Sequence, residues 1–171
     1  PLPFAVGFEG RPTLVQNVET LARVGAAIAE PESFRAEETT LLPMAHLTCV
    51  GSSVAELRSV IGSYADAGVR NVLALRGDPP GGPGAAWEQH PEGLAHADEL
   101  VALVRSLGDF SVGVAAFPEG HPESASLDED ARVLLAKQAA GAGFAITQLF
   151  FEASHYAELV SRARAIGVTM P

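Results

Sequence analysis

Lysine is nearly missing from this chain. Of eleven basic residues, ten are arginine and one, Lys137, is lysine. A lone lysine in such a background is a candidate functional cation, set against the plainer reading of a solvated surface residue. Cysteine is equally scarce. The single Cys49 excludes an internal disulfide and a cysteine-based metal site, and it fits a reducing, cytoplasmic setting. Positive charge is short overall: the net charge is −10, which disfavours nucleic acid and anionic membrane as partners. No apolar run reaches the ~18 residues of a membrane helix. The opening PLPFAVGFEG has no basic region followed by a long apolar core, so it does not read as a signal peptide. Three active-site fingerprints are also missing. No GxGxxG follows an apolar strand, no glycine loop ends in GKS or GKT, and there is no GxSxG.

What is present is globular. With 171 residues, 47% hydrophobic and 19% charged, the chain can bury a real core. Four apolar runs, MAHLTCV (44–50), NVLAL (71–75), SVGVAAF (111–117) and FAITQLFF (144–151), recur at intervals of roughly 27 to 40 residues. They are continuous rather than alternating, which predicts parallel strands buried on both faces. Helical stretches lie between them. Ser53-Val54-Ala55-Glu56 and Ser126-Leu127-Asp128-Glu129 are capping boxes, and Gly68, Gly108, Gly141 and Gly167 are the expected stops. Alternating strands and helices predict βαβ units and a parallel sheet. The long loops, 76–92 and 118–125, both follow strands, where α/β folds and (β/α)8 barrels place their sites.

Residues 1–42 break this pattern. GRPTLVQNVETLARVGAAIAEP reads as a turn and then a helix of about a dozen residues, ended by Pro31. The organisation expected is therefore an N-terminal segment, 1–37, with a turn and helix, and a βα-repeat region, 38–171.

Polar residues interrupt each strand near one end. His46 lies inside the first run; its plain reading is a satisfied core or rim histidine. Arg76 and Asp78 follow the second run and form an RGD tripeptide, with a loop ion pair as the plain reading. Pro79-Pro80 stiffens that loop, which suits a binding rim better than a mobile adhesive tip. Glu119 and His121 stand in FPEGHPE (117–123); a metal pair lacks a third ligand nearby, and no metal is assigned. Thr147 and Gln148 interrupt the fourth run. A glutamine amide offers both donors and an acceptor, which suits a heteroaromatic edge. Four strands placing polar groups at one end argues for a ligand rim.

PMAHLTCV, NVLALRGDPP, GVAAFPEGHPE and GAGFAITQLFF, in this order and spacing, closely resemble the methylenetetrahydrofolate reductase family, from about Glu38 to Pro171. The resemblance implies a (β/α)8 barrel, with about four βα units in this chain. It implies FAD as cofactor and NADH or NADPH as hydride donor, and reduction of 5,10-methylenetetrahydrofolate to 5-methyltetrahydrofolate in one-carbon and methionine metabolism. His46, Arg76, Gly77, Asp78, Ala97, Phe117, His121, Asp130 and Lys137 match FAD-contacting positions. Asp78 and Gln148 match the residues that meet the folate, and they are the catalytic candidates; Gln148 also meets nicotinamide. Lys137 and Arg76 make chemical sense as cationic partners of the FAD pyrophosphate or of reduced flavin.

The sequence departs from the family pattern at several points. No FEFFPP-like motif, which carries the general-acid glutamate, occurs in residues 1–42, and the second-strand segment with its threonine is missing. His96 stands where the family usually has tyrosine. TMP closes the sequence where a seventh strand is expected. GRPTLVQNVETLARVG resembles instead a segment of the flavin-bearing, NADH-oxidising subunit of respiratory complex I. These departures predict weak turnover, with flavin binding partly kept. The alternative is a non-catalytic remnant that binds flavin or a partner; proline dehydrogenase, another FAD barrel, is disfavoured by RGDPP and EGHPE. Open apolar edge strands predict a homo-oligomer or edge-strand dimer.

Overall fold

A computed structural model describes residues 43–79, 81 and 85–171. The helix expected before Pro31, the 1–37 segment and its resemblance to complex I lie outside the described residues. Four βα units follow in strict order. Strand β1 is Met44–Thr48, α1 Val54–Asp66, β2 Asn71–Leu75, α2 Ala97–Leu107, β3 Ser111–Ala116, α3 Leu127–Ala139, β4 Phe144–Thr147 and α4 Ala153–Ala165.

The strands form one parallel sheet in the order β1-β2-β3-β4. The strand order follows the chain order, so no strand-order reversal creates a switch point. This is the winding of a barrel rather than of a doubly wound sheet.

Register fixes two rows of side chains. On the helix side, Ala45, Val72 and Val112 align, and beside them Leu47, Ala74 and Val114; all six are buried against Leu57, Ile61, Tyr64, Leu100, Val101 and Val104. Each valine or leucine among them contributes about 1.5–3 kcal/mol when fully buried. The other face carries His46, Leu73, Gly113 and Phe144 in one row. Gly113 is needed there: a Cβ on it would lie 2.3 Å from the Phe144 ring.

The expectation of strands buried on both sides holds for the central strands, β2 and β3, and fails on this second face at the outer ones. Leu73 is buried, but His46 is exposed and Ile146 is 40% exposed. The apolar runs suit a barrel interior, and four strands enclose only part of one. The fourth run is also shorter than expected. β4 ends at Thr147, and Leu149 and Phe151 are exposed while Phe150 stacks on Tyr156.

The helix punctuation holds with one exception. Ser53 and Glu56 make the full reciprocal cap of α1. Ser126 Oγ accepts from Glu129 N, but the Glu129 carboxylate reaches back to Ala125 N, one residue earlier than a capping box requires. Gly68, Gly141 and Gly167 have positive φ; Gly108 is extended, with φ 166°.

Candidate active site

Parallel strands deliver their C-terminal ends to one rim, and the loops after β1, β2 and β3 meet there. Val50 N–H donates to Arg76 O at 2.9 Å and Cys49 Sγ lies 3.4 Å from the same oxygen. The main chain of Arg76 is thus tied to the loop after β1. Gly77 follows with φ +87°, and a Cβ there would meet Val50 Cγ1 at 2.6 Å and Thr48 Cβ at 2.9 Å. A glycine is required by both conformation and space. Burial pushes the Cys49 thiol up to about 11, so it is protonated and inert beneath this junction.

The Arg76 side chain does not pair with Asp78, as the loop-pair reading expected. It makes a bidentate bridge to Glu123, Nη1 to Oε2 at 2.6 Å and Nη2 to Oε1 at 2.7 Å. Its guanidinium carbon also sits 5.2 Å from the Trp87 ring centroid. The hydrogen bonds from Arg76 hold the Glu123 carboxyl below its usual range and raise the arginine. Asp78 itself is exposed on the rim.

The loop after β3 is built around Asp130. This buried carboxylate, in the first turn of α3, accepts from His121 N at 3.1 Å and from Ser124 Oγ at 2.6 Å. His121 Nδ1 accepts from Glu123 N at 3.1 Å, and its ring meets Phe117 edge-on at 4.7 Å. An accepting Nδ1 leaves the proton of a neutral ring on Nε2. Asp130 therefore orders the loop that carries His121 and Glu123. Glu119, weighed as a metal partner of His121, instead faces His155 Nδ1 at 3.3 Å. Among the described residues no group of three or more His, Cys, Asp or Glu is placed to hold a metal ion.

His46 and Ala97 stand apart from that cluster, and Gln148 lies at the neighbouring strand end on the same rim. His46 lies mid-strand on the open face of the sheet, and desolvation lowers its imidazole's pKa, favouring the neutral ring. Gln148 is the first residue past β4. Its N–H donates to Ala116 O at 2.7 Å, and its side chain is exposed rather than inside a buried strand. Ala97 begins α2, mostly buried; the preceding turn is tied by Glu99, which accepts from Ala95 N and His96 N.

Lys137 is not a surface lysine. It is 8% exposed on α3, and its Nζ donates to Ala115 O of β3 at 2.9 Å. Burial lowers its pKa, while Asp98 and Asp130 act in the opposite sense.

Glu123 and Trp87 were missed as rim residues in the sequence. Glu123 is the last residue of the EGHPE motif, and Trp87 is the chain's only tryptophan. That singularity was the available signal. Their contact with Arg76 spans two loops and follows no local spacing.

The family model described as "Methylenetetrahydrofolate reductase" matches residues 29–171. A 5,10-methylenetetrahydrofolate reductase of Escherichia coli strain K12 is 39% identical over 132 residues, 77% of this chain and 42% of that protein. Its Salmonella typhimurium counterpart is 40% identical over the same length, and methylenetetrahydrofolate reductase 1 of Schizosaccharomyces pombe is 34% identical over 128 residues, 21% of that protein. The chain thus spans well under half the length of these relatives. Among solved structures, a phosphonopyruvate hydrolase complex with oxalate and magnesium superposes with TM-score 0.62 at 13% identity, over 95% of this chain and 51% of that one. An oxaloacetate acetylhydrolase gives TM-score 0.58 at 12% identity, over 88% and 48%. At such identities these barrel-type enzymes inform the fold alone.

Proposed function

Since the chain belongs to the methylenetetrahydrofolate reductase family, we propose that its rim serves FAD-dependent reduction of 5,10-methylenetetrahydrofolate to 5-methyltetrahydrofolate, with NADH or NADPH as hydride donor. The observation that carries this reading is the convergence of Arg76, Asp78, Phe117, His121 and Gln148 at the C-terminal ends of β2, β3 and β4.

The donor set suits a flavin. Arg76 retains N–H groups beyond the two that Glu123 occupies, because a guanidinium has five. The Nε2–H of neutral His121 and the exposed Gln148 amide add mixed donors and acceptors of the kind a heteroaromatic edge takes. Trp87 Nε1 is buried without a hydrogen-bond partner beside Arg76. α2 opens at Ala97, and helix-start amides are donors for phosphate oxygens.

In this reading Arg76, Gly77, His121 and the start of α2 hold FAD, and His46 and Phe117 border it. Asp130 orders the His121 loop. Lys137 places positive charge beneath the end of β3 rather than gripping a phosphate directly. Bound FAD would supply hydride transfer, which no side chain can perform. Asp78 and Gln148 orient the folate, the carboxylate accepting from its ring N–H groups and the amide offering both a donor and an acceptor. Orientation of this kind is what a positioned rim adds to a cofactor's chemistry. The reading extends to a cytoplasmic setting, for which a buried, protonated single cysteine is suitable. No helix among the described residues is long and apolar enough to cross a membrane.

The test is NADH- or NADPH-dependent reduction of an artificial electron acceptor by the FAD-supplemented chain. Oxidation that depends on both the chain and FAD supports the reading. Flavin binding without nicotinamide oxidation favours a non-catalytic flavin-binding module, and the absence of both removes the proposal.

A further inference from the structure

We propose that Glu123 is a positioning residue that presets the Arg76 guanidinium for ligand by clamping it against Trp87. The inference rests on the flavin reading and deepens it.

Arg76 is held by the chain itself through both its main chain and its side chain. Its carbonyl accepts from Val50 N at 2.9 Å, its two terminal nitrogens bind the Glu123 carboxylate at 2.6 and 2.7 Å, and its face lies over Trp87. Glu123 is placed in turn: its N–H donates to His121 Nδ1, and His121 N donates to the buried Asp130. An unbroken path of contacts therefore runs from α3 through the β3 loop to a cation on the β2 loop. The guanidinium's side chain is only 22% exposed although it stands on a rim.

A free arginine side chain samples many rotamers, and a ligand that fixes it loses affinity to that ordering. Glu123 removes the ordering step in advance. Its end-on grip leaves the guanidinium edge that carries Nε–H available, so clamp and ligand need not compete for the same hydrogens. Trp87 lies against the guanidinium, its ring centroid 5.2 Å from Cζ. Asp78, two residues beyond Arg76, makes no such bridge and is left free for the ring of the substrate.

The experiment measures FAD affinity by fluorescence titration for the unaltered chain, E123Q, R76M and the double variant, with urea unfolding of each. Trp87 serves as a built-in reporter, because it is the chain's only tryptophan. E123Q should weaken FAD by about tenfold, the scale of losing one preordered contact. It should also raise acrylamide quenching of Trp87 without FAD, with the unfolding midpoint unmoved. R76M should weaken FAD at least as much, and the double variant no further than R76M, because Glu123 acts through Arg76. Equal or tighter FAD binding by E123Q would overturn the inference while leaving the flavin reading intact; so would losses that add in the double variant. No FAD binding by the unaltered chain would overturn the flavin reading and this inference with it.

Discussion

Gly77 is the residue on which β1, β2 and the candidate site depend together. Replacing it with alanine imposes two separate penalties. The left-handed backbone, φ +87°, costs a residue with a Cβ about 1–2 kcal/mol. The new methyl would also stand 2.6 Å from Val50 Cγ1 and 2.9 Å from Thr48 Cβ, an overpacking that costs about 1–3 kcal/mol more. The total, about 2–5 kcal/mol, is a large part of the 5–15 kcal/mol that stabilises an ordinary domain. Gly51 provides the control. It also has positive φ, +68°, but a Cβ there meets nothing within 4 Å, so G51A should lose only the conformational term. Urea unfolding of G77A and G51A beside the unaltered chain isolates the packing term as the difference between the two variants. Flavin affinity should fall in G77A as well, because Arg76 O is bonded to Val50 N and the two loops would have to part. Equal destabilisation in G77A and G51A would refute the reasoning, for it would mean that the close approach to Thr48 and Val50 carries no weight.

Other consequences can be checked in the same preparations. Cys49 should resist iodoacetamide in the folded chain at pH 8 and react once urea unfolds it, since burial holds its thiol pKa at about 11. Its folded pKa is raised, so the stability it contributes is present below the unfolded value of 9.0 and fades as pH climbs toward 11; C49A should lose that alkaline decline. Lys137 has the opposite sign. Its pKa is lowered by burial, so the folded state binds protons less readily and this group favours folding more as pH rises toward 10.5, a gain that K137M should lack. D130A should destabilise by about 1–3 kcal/mol, because His121 N and Ser124 Oγ lose their buried acceptor, and protease cleavage within 118–125 should speed up. Size-exclusion chromatography should show a dimer or larger species, because among the described residues β1 and β4 are the outer strands of the sheet, and on the side of β4 away from β3 the described contact is Ala145 N to Pro171 O at 2.8 Å.

The architecture was legible because its signals are local. Short apolar runs became β1 to β4, and NVLAL became β2 to the residue. Ser53 and Glu56 capped α1 as their spacing demanded. The misjudged features depended on long-range context. FAITQLFF looks like one strand by hydropathy, yet β4 stops at Thr147, and the exposure of Leu149 depends on what else packs at the rim. Arg76 was legible as a rim cation, but its partner lies 47 residues away and no periodicity links the two. Lys137 stood out by rarity. Its place beneath β3 depends on how α3 docks, which composition does not encode.

The central claim is that the rim shaped by Arg76, Gly77 and His121 is a flavin site, and equilibrium dialysis of the purified chain against FAD tests it most directly. The account predicts saturable binding of a single FAD per chain, weakened in R76M and in G77A. Absence of saturable binding, or binding that R76M and G77A leave unchanged, would contradict it.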